Sequence, residues 1–137
     1  MQPSRGLISA FKGLSHLATV IVLVQAVLAG MFISGEEIDA LDVHELVGNL
    51  LFLVVAAQLV LAFLVRDWSR FGLWIWVFVL LVLVSVQTGL GYLGRDDTLP
   101  VAIHVPLGVF IFGFAMLISV MASIEDRLPE PGGSGRS

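Results

Sequence analysis

Cysteine is absent from the 137 residues, which excludes disulfides, cysteine-ligated iron–sulfur clusters and a thioether-attached haem. Charge is scarce as well. Only 13% of residues are Asp, Glu, Lys or Arg, where soluble domains carry about a quarter. Apolar residues make up 58%, and the mean hydropathy is +0.99. A chain so short of charge suits a bilayer better than water, so the lipid bilayer is its first expected partner. The net charge is −4 and no basic run is present, so nucleic acid is not expected. Histidine occurs three times, at positions 16, 44 and 104.

Four apolar stretches, about 13–33, 43–65, 71–93 and 100–121, each have the roughly 20 residues that a hydrocarbon core requires. Lipid cannot satisfy open backbone groups, so each is expected to be helical. The fold class that follows is all-α, an integral membrane four-helix bundle spanning residues 1–122, with a polar tail at 123–137. Its last residues, 132–137, read as a flexible linker or cloning scar. A signal peptide is the rival reading of the first stretch; the stretch is long for one, and no small-x-small cleavage site stands out before Ser34. Arg5 and Lys12 precede the first stretch, and Arg66 and Arg70 separate the second from the third. The loop at 34–42 has four acids and no base. By the distribution of basic residues, both termini are expected on the cytoplasmic side.

The halves of the chain correspond. Val24-Gln25-Ala-Val-Leu28-Ala29 parallels Val86-Gln87-Thr-Gly-Leu90-Gly91, and each glutamine is followed by a histidine, 19 residues on in the first half and 17 in the second. His44-Glu-Leu-Val-Gly48-Asn-Leu-Leu-Phe52 then parallels His104-Val-Pro-Leu-Gly108-Val-Phe-Ile-Phe112. Two tandem helical hairpins related by a pseudo-two-fold axis along the membrane normal would place both histidines at one depth, facing each other.

Residues four apart lie above one another on a helix, so each His-x-x-x-Gly-x-x-x-Phe run presents imidazole, bare backbone and aromatic ring in a ladder. Neutral imidazole is an axial ligand of haem iron, and bundle cores house such sites. On this reading His44 and His104 are the metal ligands of a non-covalent haem b. Gly48 and Gly108 clear room for the porphyrin edge, and Phe52 and Phe112 form its apolar floor. Propionates would point to the outer side, where Arg95 is a candidate partner, although Arg95 also has a simpler reading as a loop residue beside Asp96 and Asp97. Taken alone, His44 also reads as an interfacial polar residue. Gln25 and Gln87 could bond a ligand-side group or each other, but polar adhesion between helices is the simpler account of both and of Gln58. His16 lies roughly 25 Å from the outer histidines along the membrane normal, at 1.5 Å per residue, and cannot share their metal. It reads as a snorkelling interfacial residue, with a quinone or proton role as the alternative. Pro106 removes the helical donor of the Ala102 carbonyl, beside His104.

These motifs resemble a family of small, functionally uncharacterised bacterial four-helix membrane proteins. Its pattern is Gln-x-x-Leu-Ala-Gly closing helix 1, His-x-x-x-Gly opening helix 2, Gln late in helix 3 and His-Pro-x-x-Gly opening helix 4. Here these are Gln25 to Gly30, His44 to Gly48, Gln87, and His104 to Gly108, with Pro106 one place later than the family proline. The arrangement also resembles one half of haem A synthase, in which paired histidines on the second and fourth helices hold a b-type haem. That resemblance implies the bacterial cytoplasmic membrane as location, axial roles for His44 and His104, and electron transfer or haem binding and sensing as function. It does not carry over the synthase chemistry, which uses two halves, and Glu45 acquires no role from it. Whether the protein is an enzyme is left open. A quinone or another membrane redox partner is the expected partner. The oligomeric state is open, a homodimer included. A haem-free accessory or assembly subunit and a small transporter are the rival readings.

Overall fold

Helices account for almost all of the computed structural model, which describes residues 3–35, 39–94 and 98–125. Helix α1 spans Arg5–Ser34, α2 Ala40–Leu64, α3 Leu73–Leu93 and α4 Thr98–Ile124. No strand occurs among the described residues. All four helices are long and apolar enough to cross a membrane. Even the shortest, α3 with 21 residues, reaches about 32 Å at 1.5 Å per residue.

The helices outrun the apolar stretches. Helix α1 begins eight residues before residue 13, because Ser4 caps it by accepting from the Leu7 amide at 3.3 Å. Its first turns carry Arg5 and Lys12, so the apolar run starts inside the helix. Gly35 ends α1 in the left-handed conformation, φ +72°, returning its amide to the Phe32 carbonyl. Gly72, φ +60°, precedes α3, and the Leu73 amide donates to Ser69 Oγ at 3.2 Å. Helix α4 runs through Pro106 without interruption and continues to Ile124, past the expected end near 121. Glu125, expected in a polar tail, is buried and accepts from the Arg70 amide.

Each helix packs on two others, in the cyclic order α1, α2, α3, α4, and the diagonal pairs α1/α3 and α2/α4 do not touch through their backbones. The outward faces are apolar, with Leu23, Leu46, Leu53, Val60 and Ile75 all exposed. The inward faces include buried Ser15, Gln58 and Ser119. Gln58 Nε2 donates to Ser15 Oγ at 3.0 Å, and Ser15 Oγ donates to the Phe11 carbonyl at 2.9 Å. Apolar surface outside and hydrogen-bonded polar groups inside suit a multi-pass membrane protein.

Burial is confined to one half of the bundle. Among the described residues, none is fully buried beyond Val22 on α1, before Leu51 on α2, beyond Val84 on α3 or before Ile111 on α4. Those four side chains form a layer that closes the packed half. Above it the helices part.

Candidate functional site

The space above that layer is a cavity of about 410 Å³, within the range of about 300–1,000 Å³ typical of small-molecule sites. All four helices line it, α1 and α3 with their C-terminal parts and α2 and α4 with their N-terminal parts. The helices therefore alternate in direction, and both His-x-x-x-Gly runs open at the same end.

The floor is Val22, Leu51, Val84 and Ile111. This corrects the expected aromatic floor. At about 100° per residue, a step of eight turns a side chain about 80° off the histidine's face, while a step of seven returns it to within about 20°. Leu51 and Ile111 are seven residues from their histidines. Phe112 still reaches the cavity edge, but Phe52 is 38% exposed and does not line it.

Above the floor, the two hairpins repeat one hydrogen-bonded unit. Gln25 Nε2 donates to the His44 carbonyl at 2.9 Å, and His44 Nδ1 lies 3.2 Å from the Gln25 carbonyl. Gln87 Nε2 donates to the His104 carbonyl at 2.9 Å, and His104 Nδ1 lies 3.0 Å from the Gln87 carbonyl. The glutamines do not bond each other; each joins its own helix to the histidine of the next. The glycines serve this unit. A Cβ at Gly48 would stand 2.7 Å from Gln25 Nε2, and one at Gly108 would stand 3.1 Å from Gln87 Nε2. The room that Gly48 and Gly108 clear is taken by glutamine amide, and both glycines line the cavity.

A carbonyl oxygen only accepts, so Nδ1 carries the proton in each ring and Nε2 keeps the lone pair. Backbone carbonyls commonly orient metal-bound histidines in this way. The ring centres of His44 and His104 are 6.1 Å apart, with their planes at 56°. Gly91 makes room for the second ring: a Cβ there would lie 3.3 Å from His104 Cε1. Its repeat equivalent is Ala29, which conceals this position from motif reading.

The donor set discriminates among metal-bearing ligands. Among the described residues, no group of three or more His, Cys, Asp or Glu converges on a metal position. Two imidazoles leave a bare zinc ion short of its four ligands. A porphyrin supplies four equatorial nitrogens and needs only two axial ones. The imidazole pair, 6.1 Å apart centre to centre, would supply those two. Among the described residues no lysine or arginine lines the cavity; Arg95 lies outside them.

Motif reading missed Asn49, Thr88 and Tyr92 and gave Glu45 no role; all four line the cavity. Asn49 Nδ2 donates to the Tyr92 hydroxyl at 3.3 Å, linking α2 to α3. His16 is elsewhere, near the opposite end of the bundle. Its Nδ1 lies 2.5 Å from Ser119 Oγ and its Nε2 3.3 Å from Ser123 Oγ, so it is held against α4 although exposed.

Comparison of the chain with protein-family models, curated proteins and solved structures returns no match.

Proposed function

We propose that the protein is a membrane haem b protein, with His44 and His104 as axial ligands, working in electron transfer or in haem binding and sensing. The observation that carries this reading is the imidazole pair: two rings 6.1 Å apart, each with Nδ1 committed to a carbonyl of the neighbouring helix. The same hydrogen bonds on both sides support a pseudo-two-fold axis along the membrane normal. The distribution of basic residues supports both termini on the cytoplasmic side, and the resemblance to bacterial four-helix membrane proteins supports a bacterial cytoplasmic membrane location.

Bound between the rings, haem would supply one-electron iron chemistry. The chain's own residues hold the two imidazoles in one tautomer and exclude water below through Val22, Leu51, Val84 and Ile111. Among the described lining residues none is lysine or arginine, so propionates would belong toward the outer aqueous side. Two protein nitrogens on one iron leave no open coordination position, which favours electron transfer or binding over oxygen activation.

The test is the absorption spectrum of detergent-purified protein, oxidised and then dithionite-reduced, beside His44→Ala and His104→Ala. The expected result is a sharp reduced α band that either substitution abolishes. A colourless protein that takes up no added hemin refutes the reading and leaves a haem-free accessory subunit.

A further inference from the structure

The seams between neighbouring helices are not alike around the cavity. Gln25 and His44 cross the α1–α2 seam, Gln87 and His104 the α3–α4 seam, and Asn49 and Tyr92 the α2–α3 seam. The α4–α1 seam is joined lower down, in the packed half, where His16 meets Ser119 and Ser123. Ser123 Oγ gives its proton to the Ser119 carbonyl, so it accepts from His16 Nε2, and Nδ1 of the neutral ring accepts from Ser119 Oγ. Both ring nitrogens are used, and His16 clasps α1 to α4 below the cavity floor.

Above the floor the same two faces have nothing to join them. Steps of seven from His16 keep to one face of α1 and reach Leu23 and Gly30. The same steps back from Ser119 on α4 reach Phe112 and Val105. All four line the cavity, and no side chain among them has a hydrogen-bond donor or acceptor. Leu23 is 52% exposed, and Val109, beside Phe112 on the lining, is 70% exposed, so both are cavity wall and bundle surface at once. A Cβ at Gly30 would meet nothing within 4 Å. The opposite seam differs. The repeat equates Leu23 with Ser85 and Phe112 with Phe52, and neither Ser85 nor Phe52 lines the cavity. The cavity therefore reaches farther outward between α4 and α1 than between α2 and α3.

We propose that the upper α4–α1 seam is the lateral portal through which a membrane-dissolved apolar ligand enters the cavity. That this ligand is haem rests on the function proposed above. Entry at any of the other three seams breaks a hydrogen bond between helices; entry here parts only apolar side chains, beside the open space at Gly30. The clasp at His16 confines the parting to the upper half, so the core below the floor stays packed.

The experiment uses cysteine pairs, which the cysteine-free chain takes without background. Gly30→Cys/Val109→Cys, joined by a short bis-maleimide, closes the portal, and Asn49→Cys/Tyr92→Cys, joined likewise, closes the opposite seam. Two readouts are taken on the full-length, haem-free protein in vesicles. One is the rate at which hemin dissolved in the lipid is taken up, read at the Soret band. The other is labelling of the floor residues Val22 and Ile111 by a lipid-dissolved phenyl diazirine, with the exposed Leu53 and Val60 as reference. Closing the portal should slow hemin uptake roughly tenfold or more, a rise in the entry barrier of at least about 1.4 kcal/mol. It should also remove the floor labelling, while closing the opposite seam leaves both readouts near wild type. Gly30→Phe, which fills the opening without a crosslink, should act like the linked portal. Gly113→Phe, at another position where a Cβ meets nothing, should not. Equal effects of closing the two seams, no effect of closing the portal, or a floor that the diazirine does not reach in the unlinked protein would overturn the proposal. Floor labelling blocked only at the portal, in a protein that takes up no hemin, upholds the portal and refutes the haem reading.

Discussion

Gly48→Ala and Gly108→Ala look like the same substitution in two copies of one motif, and the structure separates them. A new Cβ at position 48 would lie 2.7 Å from Gln25 Nε2, too close to be tolerated, so the amide must swing away from the His44 carbonyl. At position 108 the distance to Gln87 Nε2 is 3.1 Å, and a shift of a few tenths of an ångström keeps the 2.9 Å bond to His104. Alanine improves helix propensity over glycine by about 0.8–1.0 kcal/mol. The lost bond at position 48 costs about 1 kcal/mol, or about 0.6 kcal/mol if it follows the average between membrane helices. Gly48→Ala should therefore leave stability within about 0.5 kcal/mol of wild type. Gly108→Ala should gain about 0.5–1 kcal/mol, matching Gly113→Ala, whose Cβ meets nothing within 4 Å. The assay is reversible unfolding by sodium dodecyl sulfate in mixed micelles, with the side-chain amide resonances of Gln25 and Gln87 followed by NMR. Equal shifts in stability for the two variants, or an unmoved Gln25 amide in Gly48→Ala, would refute the reasoning.

Two further outcomes concern the packed half. Ser15→Ala removes the acceptor of Gln58 Nε2 and leaves a buried amide without a partner, an expected loss of about 1–3 kcal/mol in the same unfolding assay, whereas Gln58→Leu removes the amide itself and should cost less. Glu125→Ala strips the Arg70 amide of its buried acceptor and should destabilise by about 1.5–3 kcal/mol, while Ser69→Ala, which removes a part-buried hydroxyl acceptor at the start of α3, should cost about 1 kcal/mol or less.

The four helices were legible because an apolar run of about 20 residues has few other uses, and the histidine pair because histidine is rare enough here for equivalent placement to mean something. What stayed hidden has identifiable physical causes. The start of α1 was hidden because Arg5 and Lys12 mark where apolar character begins, while Ser4 marks where the helix begins. The floor was misread because a ladder in steps of four drifts around the helix, so that Leu51 and Ile111 outrank the more conspicuous Phe52 and Phe112. The glycines were identified correctly as places without a side chain. A sequence does not say what fills such a place, however, and a long glutamine from the neighbouring helix does. Asn49, Thr88 and Tyr92 escaped because they break the repeat, and a search for matching residues passes over positions where the halves differ.

The reciprocal bonds between glutamine and histidine make a last prediction whose two parts pull in different directions. In each pair the imidazole donates to the backbone carbonyl of the glutamine, and the side-chain amide of the glutamine donates to the backbone carbonyl of the histidine. Gln25→Leu or Gln87→Leu deletes only the second bond, because every residue keeps its carbonyl. Each variant should lose about 0.6–1.5 kcal/mol of stability. The matching histidine should nevertheless remain protonated at Nδ1, as read from imidazole ¹⁵N shifts of the haem-free protein, with Nε2 still unprotonated. If the side-chain amide instead governs the ring, the substituted hairpin alone will switch to the other tautomer, and the backbone carbonyl will have been assigned a role it does not have. If the tautomer holds while stability falls, the positioning of both imidazoles belongs to the path of the main chain, and substitution at positions 25 and 87 will loosen the bundle without changing which nitrogen the cavity receives.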